Sequence, residues 1–78
     1  MNLEITEHAL ERMKKYNISK ELLSTAVEKP DSIVGGYSGR KIYQKQLNGY
    51  ALRVIIEESK GIKTIITLYK SRSERYGI

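Results

Sequence analysis

Cysteine is absent from this chain, as are tryptophan and phenylalanine, and it holds one proline and one histidine. Without thiols no disulfide closes a loop, and neither a thiolate nucleophile nor a zinc-thiolate site can form. A lone histidine and carboxylates scattered along the helical stretches match no metal-ligand spacing, so no metal or cofactor is expected and any catalysis should be metal-free. No apolar run reaches membrane-spanning length, and no basic N-terminal stretch leads into an apolar signal core. The chain therefore reads as cytoplasmic, with no membrane partner. Its 78 residues, 40% apolar and 29% charged, allow one soluble domain with a single core between two layers.

Negative charge is scarce in the second half. Residues 1–39 carry five Lys/Arg against six Asp/Glu, whereas residues 40–78 carry nine against three, so the whole net charge of +5 lies there. A basic half is the electrostatic footprint of a polyanion partner, nucleic acid above all. A solvated surface that only keeps the protein soluble is the alternative.

The first half reads as two helices. In "ITEHALERMKKYNIS", Thr6 is the N-cap, Glu7 sits at the positive end of the helix dipole and Ile5 can staple onto Leu10. Asn17 suits the left-handed position after the last turn, with Ile18 folding back on Met13, which bounds the helix at about residues 7–16. Ala9, Leu10, Met13 and Tyr16 form its apolar face, and His8, Arg12 and Lys15 a basic stripe along one edge. Ser19 caps a second helix that buries Leu22, Leu23, Ala26 and Val27 and ends at "EKPDS", before Pro30.

From Asp31 the punctuation is that of strands. "SIVGGY", "KIYQKQL", "YALRVIIEE" and "IKTIITLYK" are separated by "SG", "NG" and "SKG", which predicts four antiparallel strands in sequence order. The expected fold is α+β, a helical hairpin packed on a four-stranded antiparallel meander, with a polar basic tail from about residue 70. In the third strand Leu52, Val54 and Ile56 alternate with Ala51, Arg53 and Ile55. In the fourth, Ile62, Thr64, Ile66 and Leu68 alternate with Lys63, Ile65, Thr67 and Tyr69. One face should be apolar beneath the helices and the other should carry Arg53, Thr67 and Tyr69. "GGYSG" reads as a hairpin tip rather than a phosphate cradle, because no helix start follows it.

A metal-free attack of a ribose 2′-hydroxyl on its phosphodiester needs a base, a cation for the crowded phosphorane and an acid for the leaving oxygen. Histidine is the one side chain that titrates near neutrality unaided, which makes His8 the candidate base or acid. Arg12 and Arg53 offer guanidinium forks to phosphate oxygens, and Arg40 a third. Thr67 and Tyr69 are placed to bond a phosphate or orient the histidine, and Tyr43 or Tyr69 to stack on a base. Each has a plainer alternative: His8 as a polar first-turn residue, Arg12 paired with Glu7 or Glu11, the tyrosines as cross-strand packing. Arg53, in the middle of an apolar strand, should face a groove, a partner or a carboxylate. Glu57 and Glu58 are adjacent and must point to opposite faces, so they cannot work as a carboxylate pair.

The order of "HALERM", "EKPD", "GRKIY", "LRVIIEE" and "TIITLYKSRSERY" resembles a family of prokaryotic domains catalogued as domain of unknown function 4258, over roughly residues 6–76. That family is grouped with the RelE/ParE-like toxins and the barnase, EndoU and colicin-type ribonucleases. The resemblance implies a RelE/ParE-like fold and a metal-independent endoribonuclease, often a toxin acting on tRNA or on ribosome-bound mRNA and held by an antitoxin protein. It points to His8, Arg12, Arg53, Thr67 and Tyr69 as catalytic, and Arg40 as a further site residue. Tyr76 stands where many RelE-like proteins keep a C-terminal tyrosine. RelE-like toxins use several lysines and arginines without a helix-borne histidine, so here the pattern departs from theirs. Lys41, Tyr43, Lys70, Arg72 and Arg75 complete the expected RNA-binding set. A non-catalytic module for RNA, ribosome or DNA, and a toxin acting by protein contact, are the alternatives, as monomer or homodimer.

Overall fold

The computed structural model describes residues 2–72. Eight elements follow in order: β1 (Asn2–Ile5), α1 (Glu7–Tyr16), α2 (Lys20–Glu28), β2 (Ser32–Gly35), a single 3-10 turn at Tyr37–Gly39, β3 (Lys41–Leu47), β4 (Tyr50–Ser59) and β5 (Ile62–Ser71). The five strands form one sheet in the order β1-β5-β4-β3-β2. The fold is α+β, but the sheet has five strands and is mixed. β2 to β5 form the expected antiparallel meander, and β1 adds to β5 in parallel, from Asn2 opposite Ile62 to Ile5 opposite Ile65. The segment "NLEI" is too short to show a period, and its parallel partner lies some sixty residues downstream, so no local pattern announces it.

Both helix starts and the first helix end form as their sequences dictate. Thr6 and Ser19 are N-caps in extended conformation, their hydroxyls accepting from the amides of Ala9 and Leu22. Asn17 takes the left-handed conformation (φ 56°), and the Ile18 amide reaches back to the Met13 carbonyl at 2.8 Å. That is a Schellman ending. Leu10 departs from the expected face and stays 39% exposed, because Ala9 and Met13 are the residues turned onto the sheet. β1 and β2 are the two edges of the sheet, so the helical hairpin between them crosses it from edge to edge. α1 packs chiefly on β5, and α2 on β3 and β4. Between helices and sheet, Leu23 of α2 and Leu52, Val54, Ile56, Ile65 and Leu68 of the strands are the largest fully buried side chains, each worth roughly 1.5–3 kcal/mol of burial.

β5 does not alternate as its sequence suggests. Ile56 opposes Ile65 and Ile55 opposes Thr67, so Ile66 is an extra residue in the ladder, a β-bulge. The bulge resets the parity of the strand. Ile65 and Leu68 both face the helices, while Thr67 and Tyr69 fall on the face of Ile55 and Arg53. Thr6 holds this point: its amide donates to the Ile65 carbonyl at 3.2 Å, and its hydroxyl is shared between the carbonyls of Ile65 and Ile66 at 3.0 and 2.9 Å. The same hydroxyl accepts from the Ala9 amide at 3.1 Å, so one side chain caps α1 and satisfies the bulge.

The hairpin turns differ in type. Lys60 and Gly61 both have positive φ (52° and 77°), as a type I′ turn requires, whereas at Asn48-Gly49 only the glycine does (83°). Strand β5 runs on through Lys70 and Ser71, which pair with Leu52 and Ala51, so the strand extends into what the sequence suggests is tail. No described helix is long and apolar enough to cross a membrane.

Thr6→Ala should destabilise the protein by about 2 kcal/mol, roughly one for the helix cap and one for the bulge carbonyls, whereas Thr6→Ser should lose much less. Urea denaturation of the two variants checks this; equal losses would show that the hydroxyl is not what matters.

Candidate nucleic-acid interface

The register of β3, β4 and β5 sorts the basic half of the chain onto two faces. On the face away from the core, one row joins Ser32, Gln44, Arg53 and Tyr69, and the next joins Val34, Ile42, Ile55 and Thr67. These rows form most of a concavity of about 760 Å³, lined by Gly35, Gly36, Tyr37, Arg40, Ile42, Arg53, Ile55, Thr67 and Tyr69. Four residues singled out in the sequence, Arg40, Arg53, Thr67 and Tyr69, are brought together here. The floor is apolar, from Ile42 and Ile55, and the rim is cationic and aromatic.

Arg53 is the most constrained of these groups. It is only 8% exposed, its Nη1 donates to the Tyr69 hydroxyl at 3.0 Å, and its guanidinium carbon lies 5.7 Å from the centre of the Tyr69 ring. A cation in the middle of an apolar strand is thus turned into a groove and held against an aromatic partner. Arg40, at the entry to β3, is more open and has Glu57 Oε2 3.9 Å from its Nη2. A contact that long at the surface leaves the guanidinium available to an anion.

The 3-10 turn supplies the remaining wall. The Gly36 amide donates to the Arg40 carbonyl at 2.8 Å and the Arg40 amide to the Tyr37 carbonyl at 3.1 Å. A Cβ on Gly36 would stand 3.2 Å from the Arg40 carbonyl oxygen, so glycine lets the two arms of the hairpin close this tightly. Sequence reasoning passed over Tyr37, Gly36, Ile42 and Ile55. The signal lay in "GGYSGR", where two glycines precede an aromatic and an arginine, but its meaning depends on which sheet face the turn overhangs.

His8 and Arg12 do not line the concavity. They sit one turn apart on α1, His8 exposed and Arg12 half-buried, and Arg12 Nε donates to His8 Nε2 at 3.4 Å while its Nη1 donates to the Tyr16 hydroxyl at 3.3 Å. Lys15 lies 5.5 Å over the Tyr16 ring. The basic stripe is therefore a cluster bonded within α1 through His8 and Tyr16 and not through Glu7 or Glu11. Among the described residues no group of three or more His, Asp or Glu is placed to hold a metal.

The other basic residues spread away from the concavity. Lys41 and Tyr43 point to the core side: the Tyr43 ring is buried, its hydroxyl donates to Glu58 Oε1, and Lys41 Nζ lies 3.6 Å from Glu58 Oε2. Lys63 Nζ covers the Tyr43 ring at 4.8 Å. Lys70 Nζ lies 4.5 Å over the Tyr50 ring, and Arg72 is exposed just beyond β5. Arg75 and Tyr76 lie outside the described residues. Glu57 and Glu58 do point to opposite faces, one to Arg40 and one to Tyr43.

The Tyr43 hydrogen bond holds the Glu58 carboxyl below its ordinary value, against the opposing effect of burial and with the help of the charges of Lys41 and Lys63. Because the folded value is the lower one, Glu58 adds stability above its unfolded pKa, and this is lost as pH falls through the folded pKa. Tyr43→Phe should move Glu58 back up and shrink its share of the acid-side loss. An NMR titration of the Glu58 carboxyl carbon reads this directly, and an unchanged titration would rule out the hydroxyl as the cause.

Nothing among curated proteins matches the chain, and nothing among solved structures does. One family does, described as a domain of unknown function, DUF4258, and it matches residues 5–70. That span begins at the last residue of β1, takes in Thr6 and both helices, and ends at Lys70, so it contains the whole concavity together with the His8 and Arg12 pair. On that match the chain belongs to the DUF4258 family.

Proposed function

We propose that this chain binds single-stranded RNA in the concavity between the 3-10 turn and β5. The observation that carries the reading is the placing of Arg40, Arg53, Thr67 and Tyr69 around an apolar floor on one sheet face. A nucleotide presents the same combination in complement. Its phosphate suits Arg40, with Thr67 and Tyr69 as hydroxyl partners, and Arg53 holds Tyr69 in place while adding positive potential. Its base suits the apolar floor and the aromatic rim. The net charge of +5 draws any polyanion toward the protein, and Arg40 and Arg53 place positive charge at the concavity itself. The setting that goes with this reading is the cytoplasm.

Metal-independent cleavage of that RNA, as a RelE/ParE-like toxin held by an antitoxin, is the second reading. One observation favours it. The only imidazole of the chain stands exposed with Nε2 facing a guanidinium one turn away, a base beside a cation on the same helix. In that reaction the ribose 2′-hydroxyl gives its proton to the base and its oxygen attacks phosphorus. The bond to the 5′-oxygen breaks, and that oxygen takes a proton. The products are a 2′,3′-cyclic phosphate end and a 5′-hydroxyl end. His8 lies outside the concavity, so a strand long enough to reach α1 is required.

Binding to a labelled single-stranded RNA, measured at several salt concentrations with EDTA present, tests both readings. Arg40→Gln should weaken binding across sequences and flatten the plot of log K against log salt by about 0.7, the share of one single-strand phosphate. Absence of binding by the wild type would end the proposal. Fragments ending in 2′,3′-cyclic phosphate from tRNA or ribosome-bound mRNA, lost in His8→Ala, would establish cleavage; bound but intact RNA would leave a binding module.

A further inference from the structure

We infer that Tyr37 is a stacking platform for one unpaired base, which makes the concavity selective for single strands over duplexes; this rests on the RNA-binding reading above. Tyr37 is 94% exposed, while Tyr43 is buried in the core and Tyr16, Tyr50 and Tyr69 are half-buried. An aromatic ring left in water gains nothing for folding, and this one stands on the rim of the concavity beside Arg40.

Its backbone is held firmly. The turn is closed on both sides by the Gly36 to Arg40 and Arg40 to Tyr37 hydrogen bonds, at 2.8 and 3.1 Å. Ser38, next along, is forced into the left-handed region (φ 59°, ψ 33°), and Gly39 follows it there (φ 75°). A non-glycine residue in that conformation is uncommon, and the closed turn holds it there. The ring's anchor lies three residues before Arg40 on the same closed turn, and both side chains line the concavity, so a base against the ring and a phosphate against the guanidinium belong to one short stretch of strand.

A base within a duplex is stacked on both sides and paired at its edge, so its face cannot reach an isolated ring without being pulled out. An unpaired base has both faces to offer. The stacking is tolerant of base identity, since every base has a π face. The Ile42 and Ile55 floor adds apolar contact and no hydrogen-bond readout, so the site reads strandedness and not sequence.

Three ligands of equal length separate the contributions: decauridylate, an abasic ribose-phosphate decamer, and a fully paired ten-base-pair RNA. Wild type should bind decauridylate more tightly than either of the others. Tyr37→Ala should weaken decauridylate binding by between about 5- and 150-fold, the range for one lost base stack, and leave the abasic chain unaffected. Tyr37→Trp should restore it. Because the ring is exposed, none of these variants removes core packing, and circular dichroism checks that the fold is kept. The inference is overturned if Tyr37→Ala weakens the abasic and uridine chains equally, if it weakens neither, or if the duplex binds as tightly as decauridylate. Should wild type bind none of the three, the RNA-binding reading itself fails; binding of the abasic chain alone would keep a phosphate site and remove the stacking platform.

Discussion

The facing of β5, and with it the placing of Thr67 and Tyr69 in the candidate site, is fastened at the hydroxyl of Thr6. That hydroxyl closes the first turn of α1 through Ala9, and it donates to the carbonyls of Ile65 and Ile66 where β5 carries its extra residue. A bulge leaves backbone groups without ladder partners, and such groups are costly unless something else satisfies them. Here Thr6, the residue between β1 and α1, does so. The parallel edge strand, the first helix and the bulge are thus fastened at one point, and the bulge in turn decides which way the rest of β5 faces.

That parity has chemical consequences. Beyond the bulge, Leu68 joins Leu52, Val54 and Ile56 under the helices, and Thr67 and Tyr69 come to stand beside Ile55 and Arg53. Strand alternation then divides the positive charge. Neighbours in sequence are sent apart: Arg40 to the concavity and Lys41 to Glu58, with Tyr43 carrying the same carboxylate on the core side. A basic sequence half is therefore not a basic patch. Several of its cations are engaged by tyrosine rings or carboxylates, and the concavity keeps Arg40 and Arg53.

Besides the Tyr43 and Glu58 cluster, two separate polar constellations stand out among the described residues. One is the concavity, built by long-range pairing of β3, β4 and β5 with the 3-10 turn as its rim. The other is the His8, Arg12 and Tyr16 stripe on α1, held by contacts within one helix. The first gathers Arg40, Arg53, Thr67 and Tyr69 over an apolar floor, and the second has the only imidazole. The imidazole therefore stands apart from the cations of the concavity.

Local features were legible in the sequence because their causes are local. Both N-caps, the left-handed Asn17 with its Schellman bond, the end of α2 before Pro30 and the three hairpins follow from residues within a few positions of each other. The burial of Leu52, Val54 and Ile56 followed from simple alternation, and so did the opposed directions of Glu57 and Glu58. Three things required the folded chain. The β1 to β5 pairing joins segments about sixty residues apart, the bulge at Ile66 is met by Thr6 from the other end of the chain, and the place of Tyr37 at the concavity depends on which sheet face its turn overhangs. Short-range propensity is written residue by residue; register between distant strands is an agreement among many side chains at once, and only the tertiary structure records it.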